Sequence, residues 1–351
     1  MLNFSKPKSI IGLDVSSGSL KLVEVKSEGK SYILKAFART PLPRGAILND
    51  SIVDTKTFNF CLKQALDKPQ FGRFDTHYIN VSLPESKSFL RVIQIPKMSD
   101  AEAEAAVPYE AESFIPMPVE QVYLDWQKIN EAGDKQNILI IATPREYVDK
   151  YLEALDTGGL TASALEAESQ SLCRSLIAWN STETSLIVDI DANRSNLVMV
   201  ESGGLQFSST VPIAGGAFTD GLSRSLGVSS VKGEEIKKKV GLSNTTEYPN
   251  VKIALMPVLN NLTAEIKNVL KFHSERSERP VEKVILAGGG AKLKGLPEAM
   301  QAEFGQEGNI KVEIGDPWKN IESLKSSALS GIESSSWATA IGLALRNIEN
   351  K

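Results

Sequence analysis

The sequence predicts an α/β fold of two related lobes, with a small α+β insert in the first lobe. Three observations predict it. An apolar run, Ile10–Asp14, enters a turn through one acidic residue and returns as the alternating strand Leu20–Lys26. The same unit recurs at Ser185–Ile190 and Leu197–Val200, entering its turn through Asp189. Between the two copies, Glu85 to about Thr157 reads strand, helix, strand, strand, helix, the pattern of a self-contained α+β block. A repeated supersecondary unit is what a duplicated architecture leaves in a sequence.

The elements follow in order. Ile10–Asp14, Leu20–Lys26 and Tyr32–Thr40 are strands, separated by small and polar turn residues such as Ser27-Glu28-Gly29-Lys30. Thr55–Leu66 is a helix, with Phe58, Cys61, Leu62 and Ala65 at helical spacing. Tyr78–Leu83 is a strand ended by Pro84. In the insert, Phe89–Ile95 is a strand ended by Pro96, and Ser99 or Asp100 can cap a helix over Ala101–Phe114. Pro108 lies inside that helix and should kink or divide it, at roughly 3 kcal/mol. Strands Tyr123–Ile129 and Ile138–Thr143 then flank a polar turn, and Glu146–Leu155 is an amphipathic helix ending at Gly158-Gly159.

After the second hairpin come a strand, Phe207–Val211, and a Pro212-Ile213-Ala214-Gly215-Gly216 turn into a helix, Phe218–Leu226. Helices are predicted at Val231–Val240 and Val251–Arg276, the latter with Pro257 near its start. Val281–Ala287 is a buried strand running into Gly288-Gly289-Gly290, and Trp337–Ile348 is a last helix with one apolar face.

Composition narrows the function. The chain has 351 residues, a net charge of −4 and no basic stripe with interleaved aromatics, which argues against nucleic-acid binding. Two distant cysteines, Cys61 and Cys173, exclude a disulfide framework and a zinc site. The two histidines, His77 and His273, are isolated, so a histidine triad has no material. No apolar run reaches the length needed to span a bilayer, and the N-terminus lacks a signal-peptide core, so a cytosolic protein is expected.

The loops carry the chemistry. Ser16, Ser17, Gly18 and Ser19 offer hydroxyls and unhindered backbone N–H groups at a hairpin tip, a cradle for phosphate oxygens. Asp14 beside them suits a hydrated magnesium ion, which keeps several waters. An ordinary tight hairpin is the competing reading of this segment. No Gly-Lys-Ser/Thr opens a helix, so this is not a Walker-type loop. Two related lobes would bring the Asp14 and Asp189 turns face to face around one phosphate chain, with the Gly288 turn as a third lip where backbone approaches closely.

These three loops resemble the two phosphate motifs and the adenosine motif of the actin-like ATPase superfamily, whose fold is a pair of ribonuclease H-like domains. Trp337–Leu345 resembles its closing connecting helix. Phe89–Pro96, Glu110–Pro118, Val211–Thr219 and Gly233–Lys237 are similar to the PilM family of type IV pilus assembly, a branch related to FtsA. The resemblance covers nearly the whole chain. It implies a first lobe of residues 1–84, 158–184 and 330–351, an inserted docking subdomain at 85–157, and a second lobe at 185–329 with a smaller subdomain at about 217–280.

The resemblance further implies ATP with magnesium between the lobes. Ser16, Ser17, Gly18 and Ser19 would hold phosphates; Asp14 and Asp189 would order the waters of the metal; Gly288, Gly289 and Gly290 would line the adenosine side. Gly215 and Gly216 belong to the same cleft. Glu234 and Lys237 would meet ribose and base, with Glu265 closing that pocket, the competing reading of Glu234–Lys239 being a solvated helix face. Lys21 either reaches a phosphate or, as an alternating strand residue, faces water. Glu166 or Glu168 would orient an attacking water, unless it is an exposed cap or helix face. Asp191 stands where the second phosphate turn usually has glycine, which burdens a polyphosphate unless magnesium or Arg194 offsets it; Asn193 and Ser195 keep that loop polar. At most slow ATP hydrolysis is expected.

The implied partner is the cytoplasmic N-terminal tail of a PilN-like inner-membrane protein, held beside the insert. Phe89, Ile93, Phe114 and Ile115 either line that groove or form the core of the insert. The protein would then sit in the cytoplasm, reaching the inner membrane through partners, with pilus assembly ATPases as further candidates and self-association left open. The rivals are an FtsA-like membrane tether, for which the tail Ala344–Lys351 is short and mild, and a small-molecule kinase of the same superfamily.

Overall fold

Alternation of apolar and polar residues at the start of the chain builds an antiparallel meander in the computed structural model, which describes residues 9–28, 31–243, 246–321, 328–329 and 331–346. Its strands are β1 (Ser9–Ser16), β2 (Ser19–Glu28) and β3 (Ser31–Pro41). A two-residue turn, Ser17-Gly18, joins β1 to β2 and sets Asp14 opposite Lys21. A small hairpin follows, β4 (Ile47–Leu48) and β5 (Ser51–Ile52), whose turn residues Asn49 and Asp50 both have positive φ, 49° and 64°. That backbone twist matches the twist of the flanking strands, and Asn and Asp tolerate it. Asp54 caps α1 (Thr55–Asp67), its carboxylate accepting from the Thr57 N–H at 3.0 Å. Short β6 (Phe71–Gly72) and then β7 (Tyr78–Leu83) follow.

The insert comprises β8 (Phe89–Pro96), α2 (Asp100–Glu112), β9 (Val122–Ala132), β10 (Lys135–Pro144) and α3 (Arg145–Thr157). A capping box formed by Ser99 and Glu102 starts α2. The helix runs undivided through Pro108: the carbonyl this proline leaves without a partner belongs to exposed Glu104, where water can serve it. The chain then enters β11 (Thr161–Ala167) and α4 (Glu168–Leu176).

The second half repeats the meander as β12 (Ser185–Ile190), β13 (Ser195–Glu201) and β14 (Gly204–Val211). Next come α5 (Gly215–Leu226), which takes in the glycine pair expected to precede it, α6 (Ser230–Val240) and α7 (Val251–Ser274). The remaining elements are β15 (Lys283–Ala287), α8 (Leu296–Gly308), β16 (Lys311–Ile314) and α9 (Ala338–Leu345). The last helix was expected to reach Ile348, which lies outside the described residues.

One sheet has the order β11-β7-β1-β2-β3-β6 and the other β16-β15-β12-β13-β14-β8-β10-β9. Each holds a meander flanked by two parallel strands, β7 and β11 in the first, β15 and β16 in the second. The first five strands of each order therefore correspond one to one, which is the duplication seen in sequence. The strands of the insert continue the second sheet, although the insert interrupts the first unit along the chain. The junction is narrow: β14 pairs with β8 only at Phe207 and Arg91.

Helices α1 and α3 cover one face of the first sheet through Phe58, Leu62, Tyr151 and Leu155. Its other face holds α9, with Ile341 and Leu345 against Val23 and Val25. On the second sheet α4 buries Leu172 and Leu176 against Ile187 and Val198, while α5, α7 and α8 cover the opposite face. Helices α4 and α9 thus pack on each other between the two sheets. Gly342 permits that crossing, because a Cβ there would lie 1.9 Å from the Ser171 carbonyl oxygen. Ile93 and Ile115, considered above for a groove, are buried in the insert core with Val107 and Ile138. Phe89 packs against that core, whereas Phe114 is partly exposed and carries the Arg91 guanidinium 4.9 Å over its ring.

Candidate functional site

The two hairpin tips meet. The Asn193 amide of the β12–β13 turn donates to the Ser17 hydroxyl of the β1–β2 turn at 2.5 Å. Register dictates the rest of the first tip. Asp14 and Lys21 are cross-strand partners, and the Lys21 ammonium donates to the Asp14 carboxylate at 2.7 Å. Both side chains are buried, so Lys21 does not face water as alternation alone allowed. The Ser16 hydroxyl donates to the Ser19 carbonyl at 2.9 Å and accepts from the Ser19 N–H, so these two serines lock their own turn.

At the second tip, Asp189 lies opposite Asn196. The turn closes through Asp191 N–H donating to the Arg194 carbonyl at 3.1 Å. The N–H groups of Gly215 and Gly216, at the start of α5, donate to the Asp191 and Ala192 carbonyls at 2.9 and 2.7 Å and so hold this turn. The Lys237 ammonium donates to the Gly215 carbonyl and the Thr219 hydroxyl, both at 2.8 Å, and pairs with Glu234 at 2.6 Å. Burial works against the Glu234 charge, but Lys237 and Thr219 outweigh it and bring its pKa down to about 2. These two residues are therefore tied to the loop and are not a freely solvated helix face.

Between the tips lies a buried ionic network that the sequence did not announce. Arg194 pairs with Asp50 of the β4–β5 turn and donates to Glu168 at 2.9 Å. Asn196 donates to the second Glu168 oxygen at 2.7 Å, and Ser86 donates to Asp50 at 2.5 Å. The expectation that Glu166 and Glu168 sit on an exposed cap or helix face is thus overturned: each is only 3% exposed. Glutamate accepts such burial when fully partnered. Glu166 is held by Arg174 and Arg346, and Glu168 by Arg194 and Asn196. Burial pushes the Glu168 carboxyl up to about 8, Arg194 pulling the other way.

Acidity is concentrated here. Burial, with Asp191 and Glu168 adding to it, raises Asp189 well above the usual carboxylate range; burial also raises Asp191, against the pull of Lys21. Burial disfavours the Lys21 charge, yet Asp14, Asp191 and Asp189 together hold it above its ordinary value. A cluster of carboxylates this short of positive charge suits an added cation. Among the described residues no three His, Cys, Asp or Glu side chains form a group that could hold a metal ion directly.

The third lip closes on the same place. Gly288 has φ +77°, and a Cβ on it would lie 2.6 Å from the Asp189 carboxylate, while Gly290 would clash with Ile190. A Cβ on Gly18 or on Gly289 would meet nothing within 4 Å, leaving backbone open to a ligand at both lips. Two anticipated residues lie apart. Ser195 is buried and its hydroxyl donates to the Ile213 carbonyl, and Glu265 is on α7, contacting Asn268. Asp50, Asn196 and the pairing role of Arg194 were missed. Only the register of Asn196 opposite Asp189 was available to flag one of them.

A second feature lies where β8 parts from β14. A cavity of about 280 Å³ is lined by Glu85, Ser88, Phe89, Ser208, Ser209 and Thr210, among others. The Glu85 carboxylate there accepts from Ser208 and from the Ser169 N–H at 3.0 Å, and burial raises its pKa.

A family model described as type IV pilus assembly protein PilM matches residues 12–348. Among solved structures, the chain is similar to one of a PilM–PilN type IV pilus biogenesis complex, at 28% identity and a TM-score of 0.81, over 98% of this chain and 100% of that one. It is also similar to the ethanolamine utilization protein EutJ from Carboxydothermus hydrogenoformans, at 16% identity and a TM-score of 0.57, covering 98% and 92% of the two chains. MreB5 of Spiroplasma citri, solved bound to AMPPNP, matches at 12% identity and a TM-score of 0.55, covering 98% and 99%. The last two likenesses are of fold alone: the architecture is the actin-like two-lobed α/β fold.

Proposed function

The chain belongs to the type IV pilus assembly PilM family, and from that premise we propose that it is an ATP-binding scaffold docking the cytoplasmic tail of a PilN-like membrane protein. The observation that carries the nucleotide half is the convergence of the two acidic hairpin tips, joined by Asn193 and Ser17, with the Gly288 lip against Asp189. In this reading the open backbone at Gly18 takes phosphate oxygens, and Lys21 turns toward them. Asp14 and Asp189 order the waters around magnesium, which screens the phosphate charge, and Gly288 to Gly290 line the adenosine side. Glu234 and Lys237 position the loop at Gly215.

Glu168 would be the group to orient a water. Both its oxygens are taken by Arg194 and Asn196, which supports slow turnover at most. Nucleotide would act by setting how firmly the tips close, since Arg194 and Asn193 of the second hairpin reach Asp50 of the β4–β5 turn and Ser17 of the first hairpin. The docking half is supported by the PilM–PilN complex among the similar structures and by the cavity beside the insert, where β14 offers Ser208 to Thr210 to an extended peptide.

Calorimetric titration of magnesium-ATP, with phosphate release followed in the same sample and Asp14→Ala as control, tests the reading. Binding abolished by the substitution, with little turnover, supports it. Brisk turnover refutes the assignment of slow turnover to the held Glu168, and absence of binding refutes the nucleotide half.

A further inference from the structure

We infer that the free edge of β16, with the groove beside α8, is a pairing surface for a second copy of this chain, and that the Gln301 side chain holds it shut. The inference is independent of the nucleotide and docking readings above.

Strand β16 ends the second sheet: β15 pairs with one side of it, and no strand pairs with the other among the described residues. The N–H groups of Lys311 and Gly315 donate to the Glu282 and Leu286 carbonyls on the β15 side, so by alternation the polar backbone groups of Ile310, Val312 and Ile314 face outward. A next strand would bond them, and Gln301 of α8 already does so in part. Its Oε1 accepts from the Val312 N–H at 2.7 Å, and its Nε2 donates to the Ile310 carbonyl at 3.1 Å. A carboxamide has the donor and acceptor of a peptide group, so it stands in for one residue of an absent strand and blunts the edge. The helix makes room for this. A Cβ on Gly305, one turn on, would fall against Gln301 Nε2, and glycine within a helix is otherwise unfavourable. A groove of about 700 Å³ lies between α8 and Val312 at the same edge.

Charge names the occupant. Lys311 and Glu313 flank Val312, with side chains 64% and 26% exposed, and pair with each other at 2.5 Å. Antiparallel pairing of two copies about Val312 sets Val312 opposite Val312, Ile310 opposite Ile314, and Lys311 opposite Glu313 on both sides of the two-fold axis. The edge is therefore self-complementary in charge, as an isologous interface requires. The Val312 N–H and the Ile310 carbonyl would then receive from the second copy the two bonds that Gln301 gives them now.

Sedimentation equilibrium of the full chain, wild type against Gln301→Ala, tests the inference. The expected result is that the variant dimerises at least about tenfold more tightly than wild type. On the Gln301→Ala background, Lys311→Glu sets Glu against Glu and Glu313→Lys sets Lys against Lys, so each alone should lose that dimer. Mixed one to one, the two should form it again, because every cross-strand pair is then Lys against Glu. Gln301→Met, which suits a helix and removes both bonds, serves if Gln301→Ala does not fold. Equal dimerisation by wild type and variant, a dimer that persists through either charge change, or no recovery on mixing overturns the inference.

Discussion

Replacing Arg194 with Met should cost the fold a pH-dependent amount of stability. The guanidinium is 15% exposed and bridges Asp50 and Glu168, whose side chains are 20% and 4% exposed. Removing one partner of a buried ion pair costs about 3–5 kcal/mol, because the other charge is left without compensation. Glu168 can escape that cost by taking a proton, and burial already pushes its carboxyl to about 8 against the pull of Arg194. A carboxyl whose folded pKa lies above its unfolded one contributes stability that is present below about 4.5 and lost as pH rises through about 8. Arg194→Met removes the opposing pull and raises that pKa further. The loss should therefore be about 1–2 kcal/mol at pH 6.5, where Glu168 is protonated in both proteins, and grow to about 4 kcal/mol at pH 10, about two units above that pKa, where wild type has ionised it and the variant has not. With roughly 2.1 cal/mol/K of unfolding entropy per residue over 351 residues, 4 kcal/mol is a fall of about 5 °C in Tm. Circular-dichroism melts at both pH values measure it, together with the double variant Arg194→Met/Glu168→Gln, which should recover part of the pH 10 loss. Equal losses at both pH values, or no recovery in the double variant, would refute the reasoning.

Gly288→Ala should abolish magnesium-ATP binding in a titration and lower stability by about 3 kcal/mol or more, since its φ of +77° strains an L-residue and its Cβ would lie 2.6 Å from both the Asp189 carboxylate and the Ile190 carbonyl oxygen. Gly342→Ala should lower Tm severely or prevent soluble expression, because a backbone oxygen 1.9 Å from the new Cβ cannot yield without parting α4 from α9; a wild-type melt would mean the helices are not that close.

Both hairpins and the insert were legible because their signals are local. Two-fold alternation and small turn residues place β1, β2, β12 and β13 without reference to anything distant. The strand β11 was not legible: Thr161–Ala167 is mostly alanine and polar residues, and it is a strand because β7 pairs with it in parallel. Helix α8 was obscured by Pro297 at its start and Gly305 within it, and β16 is only four residues long. At the site, the partners of Glu166 and Glu168 include residues as distant in sequence as Arg346 and Asn196, so no local pattern could tell a buried carboxylate from an exposed one. Lys21 is different. It and Asp14 are equally far from a two-residue turn, so their pairing followed from hairpin register, and reading alternation without register left it facing water.

That register argument extends to the duplication itself. Asp14 and Asp189 occupy equivalent places in equivalent hairpins, yet Lys21 stands opposite the first and Asn196 opposite the second. The two copies have divided the work. The first keeps a cation against its own carboxylate, whereas the second turns its neutral donor away to Glu168 and leaves Asp189 unpaired among the described residues. Arg194 cannot make up the difference, being committed to Asp50 and Glu168. The shortage of positive charge therefore sits at Asp189, under the Gly288 lip. Phosphate oxygens brought under that lip would worsen the shortage unless a cation came with them, which is the charge that the second copy, unlike the first, does not supply for itself.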